Sequence, residues 1–124
     1  NMLVKILNSL YDKSKAHDAM GLEELCVLFY INEKETATFR DIAKKYFSTL
    51  SEANRRIAVM SDGYMFKTRG ESKNRYRKGS AFIKEKKYPD NVVSIQGSDS
   101  GNREYVITRK GKKLINEIIE KINK

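Results

Sequence analysis

Asn54 and Arg55 stand side by side in the stretch TLSEANRRIAVM. Their side chains suit base edges in a major groove: a carboxamide pairs donor and acceptor with adenine, and a guanidinium offers two parallel donors to guanine. Thr49 and Ser51, just upstream, place hydroxyls where a helix would begin, and a helix start with free backbone N–H groups suits a phosphate. A second set follows in KTRGESKNRYRKG, where Lys67, Arg69, Lys73, Arg75, Arg77 and Lys78 meet a single acid, Glu71, and no aliphatic residue. Cations at that density neutralise a polyanion and release its condensed counterions. Residues 67 to 88 hold nine basic and two acidic side chains, a net +7 of the chain's formal +9. A merely solvated surface mixes both signs, so this concentration points to an anionic partner. Polar helix faces and basic loops are often only solvated, and the elements around the two sets must decide.

The totals narrow the classes. A chain of 124 residues has room for one domain and one core, here residues 2–124. A sequence pI near 9.6 suits nucleic acid or an anionic membrane. The basic run has no amphipathic partner face, which argues against the membrane, and nothing approaches the roughly 18 apolar residues of a spanning helix. Asn1 ahead of Met2 reads as a residue left by a tag, and NMLVKILNSL lacks the basic start and cleavage pattern of a signal peptide. Cys26 is the only cysteine, so the sequence offers no intrachain disulfide and no cysteine-based zinc site, and a reducing cytoplasm fits. Cys26 reads as a small core hydrophobe, with a redox sensor as the other reading. His17 is the only histidine, which excludes His-rich metal sites and leaves no triad without it. No glycine pattern cradles a phosphate. The expectation is a binding protein with no catalytic constellation, cofactor or metal.

The pattern of apolar residues supplies the elements. Leu3, Ile6, Leu7, Leu10 and Tyr11 make one helical stripe, in a helix expected to end near Gly21. LEELCVLFYI, residues 22–31, reads as a buried central helix with Leu22, Leu25, Cys26 and Phe29 on one stripe. Thr38 with Asp41, and Thr49 with Glu52, form two capping boxes, opening two short helices separated by a tight turn at FS. In the second, Leu50, Ala53, Ile57 and Met60 are expected in the core, leaving Ser51, Asn54, Arg55 and Ala58 outward. Gly63 is expected to cap its C-terminus. YMFKTR, NVVSIQ and REYVIT read as strands, the last two flanking the hairpin loop GSDSGN. Thr108 opens a final helix with Leu114, Ile115, Ile118, Ile119 and Ile122 on its apolar face.

The stretch from Gly21 to Arg69, with REYVITRKGKKLINEI, resembles the winged-helix regulators of the multiple-antibiotic-resistance regulator (MarR) class, including their staphylococcal accessory regulator relatives. The central helix corresponds to Leu22 through Ile31, the recognition helix to Leu50 through Ser61, and the entry to the dimer helix to Ile107, Thr108 and Gly111. The resemblance implies a mainly α fold with a small antiparallel β-wing (α+β), a winged helix-turn-helix dimerising through its terminal helices, 2–19 and 109–123. It implies a homodimer on a pseudo-palindromic site of double-stranded DNA, with a small-molecule or oxidant effector left open. On this reading Thr49, Ser51, Asn54 and Arg55 contact DNA at the recognition helix, and Lys67, Arg69, Lys73, Arg75, Arg77, Lys78 and Arg103 contact it from an elongated wing, 64–108.

Two departures stand out. Arg56 occupies a position where these regulators bury an aliphatic residue. The wing is also long: pairing 64–69 with 103–108 leaves residues 70–102 between the strands, enough for an extra strand at Val92 to Gln96 and a helical turn at Ala81 to Lys87. Tyr76 and Phe82 either pack under this wing or rest against a sugar. The expected function is a sequence-specific transcription regulator. Alternatives are a mobile element's replication or partition protein, or a winged helix binding RNA or an acidic protein.

Overall fold

A computed structural model describes residues 2–16, 20–86 and 103–123. Along the chain run α1 (Met2–Ala16), α2 (Leu22–Lys34), β1 (Ala37–Thr38), α3 (Phe39–Tyr46), α4 (Leu50–Met60), β2 (Gly63–Phe66), β3 (Arg75–Lys78), β4 (Ile83–Glu85), β5 (Glu104–Ile107) and α5 (Arg109–Asn123). The fold is α+β, in an order compatible with a winged helix. Among the described residues no helix is long and apolar enough to cross a membrane.

Local chemistry starts three of the helices. The Thr38 hydroxyl oxygen accepts the Asp41 N–H at 3.1 Å, and that of Thr49 accepts the Glu52 N–H at 3.1 Å. Each bond satisfies one of the free donors of a first turn, and the acid three positions on complements the helix dipole. α3 stops where Phe47 turns extended, so only Phe47, Ser48 and Thr49 separate it from α4. Thr108 caps α5 by accepting the Gly111 N–H at 3.1 Å. A Cβ on Gly111 would sit 2.2 Å from the Phe82 carbonyl oxygen, so glycine is what lets α5 lie against the chain at Phe82.

The core forms around α2, where Leu25, Val27, Leu28 and Ile31 are buried. Ile42 and Ala43 of α3, Ala53, Ile57 and Met60 of α4, and Leu114, Ile115 and Ile118 of α5 close over them. Each fully buried Leu or Ile contributes on the order of 1.5–3 kcal/mol. Phe82, Ile83 and Tyr105 complete the core from the sheet.

The strands pair differently from the expectation. β5 lies between β1 and β4, antiparallel to both, with Ala37 opposite Tyr105 and Ile83 opposite Ile107. β2 pairs with β3 in a separate two-stranded ribbon, Gly63 opposite Lys78 through Phe66 opposite Arg75. The expected pairing of 64–69 with 103–108 is therefore wrong, and the described strands between 64 and 108 divide between two sheets. The physical reason is burial: Phe82 and Ile83 bring apolar side chains to the edge of β5 that covers the core, whereas the four residues of β3 are all exposed. The ribbon is an insertion whose ends meet. After it the Ser80 N–H bonds the Val59 carbonyl at 2.7 Å and the Phe82 N–H that of Met60 at 2.9 Å, returning the chain to the end of α4. Gly63, with φ 95°, and Gly79 close the base: a Cβ on Gly63 would lie 2.0 Å from the Arg77 carbonyl, and one on Gly79 2.1 Å from that of Ser61.

Further corrections follow from packing. The helical turn expected at 81–87 is instead a strand at Ile83–Glu85, entered through Ala81 at φ 61°. Ser61, not Gly63, caps α4, and Gly63 begins β2. α1 is described over Met2–Ala16, and Gly21 is the N-cap of α2. Leu22 and Leu50, expected in the core, are 58% and 68% exposed, each as the first residue of its helix. Phe82 is core, whereas Tyr76 is exposed. The strand expected at Val92 to Gln96 and the loop GSDSGN lie outside the described residues.

Candidate nucleic-acid interface

α4 turns Ala53, Ile57 and Met60 inward, which fixes its opposite face. Ser51, Asn54 and Arg55 are exposed there and Ala58 is half-buried, as the periodicity requires. Thr49 sits at the start of this face with its hydroxyl oxygen engaged in the cap, leaving the hydroxyl proton to donate. The three orphan N–H directions of the first turn open on the same end.

Arg103 and Arg77 flank this face. Arg103 precedes β5; its guanidinium lies 4.8 Å over the Phe39 ring, and its Nη2 donates to Asn54 Oδ1 at 3.3 Å. The backbone locks the same residue, since its carbonyl accepts the Phe39 N–H at 2.8 Å. Asn54 thus presents its NH2 as a donor and keeps a second lone pair on Oδ1 as an acceptor beside the Arg103 bond. On the other side, Arg55 of α4 and Arg77 of β3 line one cleft of about 250 Å³, with Gly21, Glu24, Arg56 and Val59. The sequence-predicted residues Asn54, Arg55, Arg77 and Arg103 therefore share one surface.

The others are spread along the ribbon. Lys78 is at its base, opposite Gly63. Arg75 is at the outer end, held in a two-pronged ion pair with Glu71 at 2.7 and 2.8 Å. Lys67, Arg69 and Lys73 are exposed in the connection between β2 and β3. That connection lies about 10 Å from the base at the rise of a strand, so these cations belong to the arm and not to the α4 face.

Sequence reasoning marked Arg56 as anomalous but missed its partners. Its Nε donates to Glu24 Oε1, its Nη2 lies 3.3 Å from Glu23 Oε2 and its Nη1 3.5 Å from Glu52 Oε1. Glu24 is 2% exposed. The hydrogen bond to Glu24, against the opposing effect of burial, raises the Arg56 pKa above an arginine's ordinary value. The guanidinium thus ties α4 to the N-terminus of α2, where the two glutamates also face the positive end of a helix dipole. The signal available was an Arg at a core-facing edge and two acids in a first turn; their separation of 32 residues hid the pairing.

Cys26 is half-buried, and burial, with Glu23 nearby, raises its thiol pKa. Among the described residues no three His, Cys, Asp or Glu side chains gather to hold a metal ion. No family model, curated protein or solved structure matches this chain.

Proposed function

We propose that this chain is a sequence-reading, double-stranded DNA-binding regulator of winged-helix type, akin to the multiple-antibiotic-resistance regulators. The observation that carries the reading is the outer face of α4: Ser51, Asn54 and Arg55 exposed together, with Arg103 against Asn54 and Arg77 beside Arg55. Base-reading side chains in the middle and cations at the flanks are what a helix lying in a major groove needs, since base contacts specify and phosphate contacts position. β4 and β5 are then the strands of the wing, and the β2–β3 ribbon is an added basic arm.

The reading includes a homodimer. On α1, Leu3, Val4, Leu7 and Tyr11 are 51–62% exposed on one stripe, and Ile119 of α5 is also exposed. Ile115 and Ile118, on the apolar face of the final helix, are buried in the protomer's own core. The dimer contact is therefore carried by α1 and the outer edge of α5. An apolar stripe of this kind is unfavourable in water and is covered by a second copy.

The test is selection of bound duplexes from a random library. The expected product is a single motif with two-fold symmetric halves about one helical turn apart. Recovery of unrelated sequences, with binding that depends on salt alone, would reduce the chain to a nonspecific polyanion binder.

A further inference from the structure

The β2–β3 ribbon carries more than charge. Its register puts Tyr64 opposite Arg77 and Phe66 opposite Arg75, so these four side chains share one face, and Met65, Tyr76 and Lys78 share the other. The rings of Tyr64 and Phe66 follow one another along β2 with centroids 5.8 Å apart. Phe66 is 39% exposed, and both strands lie outside the three-stranded sheet. Phosphate anchoring uses only the cations. It leaves unused an exposed Phe66 and a half-buried Tyr64 beside it, on a two-stranded ribbon of a kind that is marginal by itself. Duplex DNA offers a ribbon edges and phosphates but no base faces, because those are stacked; an unpaired strand offers both phosphates and base faces. Successive aromatic rings beside arginines form a platform on which consecutive bases stack while the cations follow the backbone.

We infer that the ribbon face bearing Tyr64, Phe66, Arg75 and Arg77 binds unpaired nucleotides of a DNA strand adjoining the duplex held at α4. The inference rests on the reading of α4 as a duplex-binding helix. Two features place the single strand next to that duplex. Arg77 belongs to this face and also lines the cleft with Arg55, so the platform is continuous with the α4 surface. The closed base at Gly63 and Gly79 holds the ribbon to the end of α4 and does not let it swing as a tether. Arg75 is paired with Glu71 at the outer end, and Arg77, two residues nearer the base, is the cation of the platform closest to α4.

The test compares three labelled DNAs by fluorescence anisotropy: a duplex bearing the selected site and extended by about ten base pairs, the same duplex with a single-stranded thymidine tail of equal length, and the thymidine oligonucleotide alone. The tail is expected to tighten binding at least about tenfold over the double-stranded extension, consistent with stacking gains at two bases. Replacing Tyr64→Leu and Phe66→Leu together removes most of that gain and leaves the fully double-stranded site unchanged, whereas Met65→Ala on the opposite face keeps it. No gain from the tail, with the duplex still bound, overturns the ribbon proposal alone. Binding of the oligonucleotide, abolished by the double substitution, together with no binding of the fully double-stranded DNA, overturns the α4 reading and leaves the ribbon's role standing. A second measurement covers a double variant that fails to fold. The chain has no tryptophan, so Phe66→Trp places one reporter on the platform, and its emission should be quenched by the tailed DNA and not by the duplex. Unchanged emission, or a concentration-dependent blue shift without any DNA, would show that the face is idle or covered by protein.

Discussion

Arg56 and Glu24 show how a single charged pair fixes the placement of a whole helix. Glu24 is buried with its Oε2 unbonded among the described residues, so removing the guanidinium leaves an uncompensated carboxylate in the protein. Arg56→Ala should destabilise the fold by about 3 kcal/mol, the low end for a buried pair because the arginine is partly solvated. Changing both residues, Arg56→Met with Glu24→Leu, should recover most of the loss. Urea unfolding of the two variants checks this, and equal stability of the single variant and the parent would show that the pair is ornamental. The same scale governs Cys26. A raised pKa means less thiolate at neutral pH, so its alkylation at pH 7.5 should be slower than that of free cysteine and rise only at more alkaline pH. Rapid modification at neutral pH would favour the redox-sensor reading. The sequence revealed Arg56 as out of place, but its remedy lay 32 residues away, beyond any local pattern.

At the scale of elements, what is local was legible and what is paired at a distance was not. Thr38 with Asp41 and Thr49 with Glu52 form caps within three residues, so the two helices and their turn could be read directly. The partner of a strand is a tertiary choice. β3 is Arg-Tyr-Arg-Lys, buried on neither face, and so carries no burial alternation to announce it. β1 has two residues and β4 three, too short to show a period. The ribbon is testable as an element. Replacing Lys73, Arg75, Arg77 and Lys78 together should flatten the slope of log K against log salt by about 0.9 per phosphate contact, and by somewhat less than four contacts' worth because Arg75 is tied to Glu71. Specificity for the selected site should survive. A slope equal to the parent's in a folded variant would remove the ribbon from the DNA surface. Gly63→Ala should separate the ribbon's closed base and destabilise the protein by at least about 1 kcal/mol, through both φ 95° and the Arg77 carbonyl. Thermal melting measures it.

On the proposed reading the whole molecule combines a base-reading face on α4, a basic arm and an exposed apolar stripe on α1. In that proposal the stripe on α1 sets the assembly. Leu7→Glu should turn a dimer into a monomer at tens of micromolar by sedimentation, a range in which a specific interface holds, and should weaken binding to a symmetric site far more than binding to one half-site. A monomeric parent at that concentration would remove the symmetric-site argument. The α4 face holds the central claim, and the most direct measurement is the ratio of affinities for the selected duplex and a scrambled one, in the parent and in Asn54→Ala with Arg55→Ala. Each lost base contact should cost about 1–3 kcal/mol of discrimination. The account predicts that the double variant binds both duplexes alike, with its affinity for the scrambled one close to the parent's. A double variant that is folded and still separates the two duplexes as the parent does would contradict it, and the base-reading role of α4 would have to be given up.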